Sequence, residues 1–136
     1  MCSGLIDAAN ARTLLVFADT NADGETPEMF WLRRKWHDAW FDRNCGGAGN
    51  GVAGDGGIGS CTVHGATWSN SNPLTAGLLL EPNQRCDVIY YKDYPHPRAA
   101  AVPVGQVRCI EARVVLNELP TVSDHYGVLA VFECTK

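Results

Sequence analysis

Apolar residues in this chain gather into four short runs, separated by polar and glycine-rich stretches. The first, Thr-Leu-Leu-Val-Phe-Ala at 13–18, is continuous rather than alternating, and predicts a strand buried on both faces. It ends in the polar turn Asp19-Thr20-Asn21-Ala22-Asp23-Gly24. Thr26, Pro27 and Glu28 then form a helix start: an N-cap, a proline at the first position and an acid in the first turn. Met29, Trp31, Leu32 and Trp36 make the expected buried face of this helix, which fades near Trp40. Three later segments read as strands: 85–91, β-branched and aromatic; 104–116, long, with Val107, Cys109, Val114 and Leu116 apolar; and 126–134, another apolar run. Residues 4–11 read as the end of a helix, and 93–103 as a proline-broken connection.

Between 46 and 59, eight of fourteen residues are glycine, which predicts a mobile loop with nothing to bury. The formal GxGxxG match inside it, at 49–54, neither follows a strand nor opens a helix, so it is not a dinucleotide site. The 136 residues suit one domain, and the 46% hydrophobic content is that of a globular chain. A net charge of −4 argues against a broad nucleic-acid surface, though not against a small basic cleft. No run approaches the roughly 20 apolar residues of a membrane span, and the first eleven residues lack the pattern of a signal peptide. The six cysteines form no CxxC pair, so neither a zinc ribbon nor a thioredoxin-type site is expected. They read as buried or half-buried thiols; the alternative is one or two disulfides, with Cys45 and Cys61, which bracket the glycine-rich loop, the best-placed pair.

Candidate chemistry sits at the strand ends. Asp19 and Asn21 follow the first strand, Asp87 lies in Gln84-Arg85-Cys86-Asp87-Val88-Ile89-Tyr90, and Ser123-Asp124-His125 precedes the last strand. Taken singly, Asp19 and Asn21 are ordinary turn formers and His125 an ordinary surface histidine. Asp87 is harder to place that way, because strand alternation puts it on one face with Ile89, where a carboxylate needs a strong partner. His125 is the expected partner, joined to Asp87 across neighbouring strands, with its pKa raised by the carboxylate. Trp31, Trp36 and Trp40 read as core aromatics and Trp68 as a cleft residue, while His37, His64 and His96 have no functional context.

In this order the clusters resemble the endonuclease/exonuclease/phosphatase superfamily. Ala18-Asp19-Thr20-Asn21 is similar to its Gly-Asp-Phe-Asn-type motif, Arg85-Cys86-Asp87-Val88-Ile89 to Arg-Ile-Asp-Tyr-Ile, and Ser123-Asp124-His125 to the Ser-Asp-His before the final strand. Thr67-Trp68, Asn72-Pro73-Leu74 and Tyr126-Gly127-Val128 look like features of its sphingomyelinase-like members. The resemblance covers about residues 14–132 and implies an α/β (α+β) fold: the C-terminal half of a four-layer αββα sandwich, a mixed β-sheet with flanking helices. It also implies a single partial domain over 1–136, since the family's first half, with an Asn, a metal-binding Glu and a further cleft residue, has no counterpart here.

The roles it implies are physically specific. His125 acts as general acid or base, Asp87 fixes its tautomer, Asp124 ligates Mg²⁺ (or Mn²⁺ or Ca²⁺), Asp19 orients or deprotonates the attacking water, and Asn21 donates to a phosphate oxygen. The expected function is metal-dependent phosphoester hydrolysis, of a phospholipid headgroup or a nucleic acid. The alternative is a non-catalytic module that associates, with a partner half-domain or as a homodimer, through an exposed sheet.

Overall fold

The computed structural model describes residues 13–45, 65–78, 82–93 and 107–134. The expected helix at 4–11, the glycine-rich loop at 46–59, and His64 and His96 lie outside the described residues. The elements run β1 (Thr13–Asp19), α1 (Pro27–Arg33), β2 (His37–Asp38), α2 (Ala39–Asn44), β3 (Asp87–Asp93), β4 (Val107–Val115) and β5 (Gly127–Cys134). This is the mixed α and β composition expected, but every pairing among the described strands is antiparallel, where a mixed sheet was predicted. The strands also form two sheets, β1-β3-β2 and the hairpin β4-β5, rather than one.

β3 is the centre of the molecule. Its β-branched and aromatic residues suit a pleated surface covered on both faces, and Val88, Ile89, Tyr90 and Tyr91 are all buried. Alternation splits them. Val88 and Tyr90 face Met29 of α1, with Ala18, Ala22 and Trp36 around them. Ile89 and Tyr91 face the other way, onto Ala39 and Trp40 of α2 and onto Cys109 and Ala112 of β4. The described layers are therefore a helix, a three-stranded sheet and a hairpin, with α2 packed against both sheets.

The hairpin turns its apolar side inward because of one irregularity. Strict period-two alternation would put Cys109, Glu111 and Arg113 on a common face. A register shift between Cys109 and Glu111 resets the pattern, so Cys109, Ala112 and Val114 all join the core while Glu111 and Arg113 stay exposed. Opposite them, Phe132, Ala130 and Val128 of β5 pair with Cys109, Ala112 and Val114 and complete the inward face.

Two predictions are corrected here. The run at 13–18 does form a strand, but not a buried one: Leu15 is 42% and Phe17 68% exposed. The hairpin and α2 cover β3, and β1 has β3 as its main neighbour. The single helix expected from Thr26 to Trp40 is two, because Asp38 starts a new one. α1 ends at Arg33, and the Asp38 carboxylate accepts from the Trp40 and Phe41 amides at 3.0 and 3.2 Å, an N-cap that begins α2. Trp40 is accordingly core and Trp36 half-buried, whereas Trp31 is 60% exposed and Leu32 is exposed beside it. Thr26 stands at the N-cap of α1 as expected, although its side chain makes no capping bond.

Among the described residues Cys86, Cys109 and Cys134 are free. Cys45 is disulfide-bonded, and its partner lies outside the described residues. No helix among the described residues is long and apolar enough to cross a membrane.

Candidate active site

The β1–β3 register places Asp19 directly opposite Asp87. Cross-strand partners in an antiparallel pair share a face, so both carboxylates lie on the side of the sheet that carries Ile89 and Tyr91 and meets the hairpin. His125 lies just before β5, in an isolated bridge with Trp68, which also bridges Gln84 ahead of β3. Its Nδ1 lies 2.8 Å from Asp87 Oδ2. The bond predicted from the sequence is present, between the first residue of β3 and the residue two places before β5. Asp19, Asp87 and His125 together offer ligand atoms all within 4.8 Å of one another.

Asp19 is also held locally: its Oδ1 accepts the Asn21 amide at 2.9 Å, closing a turn that leaves Asn21 at φ 48, a left-handed conformation asparagine tolerates. The turn former is thus the same residue that stands beside Asp87 and His125. Asp124 is exposed, with the Ser123 hydroxyl 3.3 Å from its Oδ1, and stands outside the Asp19–Asp87–His125 group. Trp68 packs edge-on against the His125 ring at 5.1 Å between centroids.

Electrostatics favour a charged imidazole. Burial lowers the His125 pKa, but the hydrogen bond and charge of Asp87 outweigh that, and Asp19 and Asp124 add to them, so the net shift is upward. The Cys86 thiol beside Asp87 is pushed up to about 11, first by burial and then by Asp19, Asp87 and Asp23, so it is no thiolate nucleophile at neutral pH.

Two features of the site's framework had no functional assignment in the sequence. Asp38 and Arg85 form a buried bidentate ion pair, Nη2 to Oδ2 at 2.8 Å and Nη1 to Oδ1 at 3.2 Å, two residues before Asp87. Asn72 is fully buried, and its amide nitrogen donates to the Ser123 and Asp124 carbonyls at 2.9 and 3.0 Å, fixing the loop that carries Asp124 and His125. An arginine directly before an apolar strand was a usable signal for the first; the Asn-Pro-Leu motif marked the second without naming its task. His37, set aside on sequence, stacks on Tyr91 at 4.9 Å and shares Asp42 with it: the carboxylate takes the Tyr91 hydroxyl at 2.7 Å and His37 Nδ1 at 3.2 Å.

A cavity of about 650 Å³ opens elsewhere, lined by Asp23, Ser69, Ser71, Asn83, Asn117 and Tyr126 among others, and contains none of the Asp19–Asp87–His125 group. No protein-family model, curated protein or solved structure matches this chain.

Proposed function

We propose that this chain is a metal-dependent phosphoester hydrolase whose working groups are Asp19, Asn21, Asp87, Asp124 and His125. The observation that carries the reading is the 2.8 Å bond from His125 Nδ1 to Asp87 Oδ2, formed between the ends of β3 and β5 with Asp19 beside it. A carboxylate on one ring nitrogen fixes the tautomer and leaves Nε2 as the atom that exchanges a proton with the substrate. A ring held above its ordinary pKa suits a donor to a leaving alkoxide.

Asp19, Asp87 and Asp124 bring three carboxylates to this region, and oxygen donors fit a hard divalent cation such as Mg²⁺, Mn²⁺ or Ca²⁺. Asp124 is its ligand in this reading. Such a cation, when bound, acidifies water and offsets the charge of the phosphoryl group. Asp19 orients the attacking water, and Asn21 donates to a phosphate oxygen. The resemblance of the ordered motifs to the endonuclease/exonuclease/phosphatase superfamily supports the same class. In the four-layer architecture that goes with it, α1, the β1-β3-β2 sheet and the hairpin would be three of the layers. The net charge of −4 and the Asn72-Pro73-Leu74 segment favour a phospholipid headgroup over nucleic acid as substrate.

The test is hydrolysis of bis(p-nitrophenyl) phosphate by the full chain with Mg²⁺, Mn²⁺ or Ca²⁺, repeated with EDTA and with Asp87→Asn. Turnover that EDTA abolishes and Asp87→Asn reduces is the expected result; none with any of the three ions overturns the reading. A second reading, a non-catalytic module that associates through its sheet, is favoured by Leu15 and Phe17 standing exposed on the face that carries Asp19. It requires concentration-dependent sedimentation that Phe17→Lys removes.

A further inference from the structure

We infer that Thr67 is the positioning residue of the Asp87–His125 pair, holding the carboxylate's strand with its hydroxyl and the imidazole's strand with its carbonyl; this rests on reading that pair as the working groups. Thr67 is fully buried. Its Oγ1 accepts from two consecutive main-chain amides, Cys86 at 3.1 Å and Asp87 at 3.0 Å. Its carbonyl accepts the amide of Tyr126, the residue after His125, at 2.7 Å. One residue therefore grips the backbone at Asp87, where β3 begins, and at Tyr126, between His125 and β5.

The surrounding bonds show that the grip is directional. Thr67 is itself anchored, its amide donating to the Gln84 carbonyl at 3.0 Å. On the far side of the Cys86 peptide, Thr20 donates to the Cys86 carbonyl twice, from its hydroxyl at 2.8 Å and its amide at 2.9 Å. The peptide entering Asp87 is thus pinned at both polar atoms, by Thr67 at the nitrogen and by the turn after Asp19 at the oxygen. Threonine suits the task because its β-branch restricts χ1, so the oxygen stays aimed at the two amides. A buried threonine needs only one partner to be satisfied. This one instead binds main chain at Asp87 and at Tyr126, the neighbour of His125, and removing its oxygen moves Asp87 relative to His125.

The experiment compares Thr67→Val, which keeps the shape and removes the oxygen, with Thr67→Ser, which keeps the oxygen. The full chain is used, free of metal for spectroscopy. Tyr91→Phe serves as a control that removes a hydroxyl bond away from the pair. Three signals are read: the downfield Nδ1 proton resonance of His125, amide exchange at Cys86 and Asp87, and bis(p-nitrophenyl) phosphate turnover with Mg²⁺. Thr67→Val is expected to lose the resonance and the protection of both amides, and to lower kcat by about 10²-fold, the scale set by a displacement of about 1 Å, with KM little changed. Thr67→Ser restores all three, and Tyr91→Phe moves none.

A folded Thr67→Val protein with the His125 resonance intact overturns the inference, as does wild-type turnover that the substitution leaves unchanged. If Thr67→Val does not fold, exchange in the wild-type protein decides: unprotected Cys86 and Asp87 amides overturn the clamp. Absence of turnover in the wild type would sink the hydrolase reading alone, and the resonance and exchange measurements would still decide the clamp.

Discussion

Replacing Asp38 by alanine would strand the Arg85 guanidinium inside the protein. The two side chains retain 1% and 5% of their surface, so solvent screens the pair little. Breaking a buried pair by removing one partner costs about 3–5 kcal/mol, because the remaining charge stays desolvated. The same carboxylate also caps α2 through the Trp40 and Phe41 amides, and losing such a cap costs about 1 kcal/mol. Both losses fall on one carboxylate and do not simply add, so the expected total is about 4–5 kcal/mol. Against a typical stability of about 5–15 kcal/mol, that brings the chain near collapse at room temperature. Urea titration followed by tryptophan fluorescence reads the effect, since Trp40 is buried two residues from the substitution. Asp38→Asn keeps an oxygen for the two amides, so it should be milder than Asp38→Ala by about the value of the cap. The double variant Asp38→Leu with Arg85→Met should recover part of the loss, since an apolar pair carries no desolvation penalty. A loss below about 1 kcal/mol for Asp38→Ala, at unchanged m, would refute the reasoning.

The raised pKa of His125 contributes stability that is fully present below its ordinary value of 6.5 and is lost as pH rises through the higher folded value. In EDTA, the Tm advantage of wild type over Asp87→Asn should therefore shrink from acid to alkaline pH, and a constant advantage would contradict the ion-pair account. Gly65→Ala places a Cβ 2.3 Å from the Trp40 indole, a core ring, and should cost about 1–3 kcal/mol by overpacking, read as a lower urea midpoint. Asp124→Ala should abolish thermal stabilisation by Mg²⁺, which follows mass action; an unchanged shift would remove Asp124 as a ligand.

Much of the strand content was legible because β-branched and aromatic runs have few other uses, and the bond between Asp87 and His125 was legible because a carboxylate beside Ile89 has few ways to be satisfied. What failed did so for identifiable reasons. A continuous apolar run such as Leu14 to Ala18 shows that a strand is apolar, not that anything covers it, so the exposure of Leu15 and Phe17 was out of reach. The break between α1 and α2 was within reach: Asp38 before Ala39-Trp40-Phe41-Asp42 has the form of an N-cap, but the helical spacing of the tryptophans masked it. Thr67 carried no signal as a positioning residue, because a threonine that binds amides nineteen and twenty positions away looks locally like any other.

The placement of Asp87 at the start of one sheet and His125 just ahead of the other makes the pair a gauge of how the two sheets sit on each other. They lie 38 positions apart along the chain, and among the described residues β3 and β5 do not pair directly; their ends are linked through Thr67 and Trp68. Lifting the hairpin away from β3 breaks the Thr67 and Trp68 links but neither sheet's own ladder, a sub-global opening whose free energy lies below that of complete unfolding. Heating would then separate the pair at a temperature where far-ultraviolet ellipticity still reports native secondary structure. A midpoint followed through His125 should precede one followed through the backbone, and the gap between them measures the cohesion of the layer between the sheets rather than the stability of either sheet.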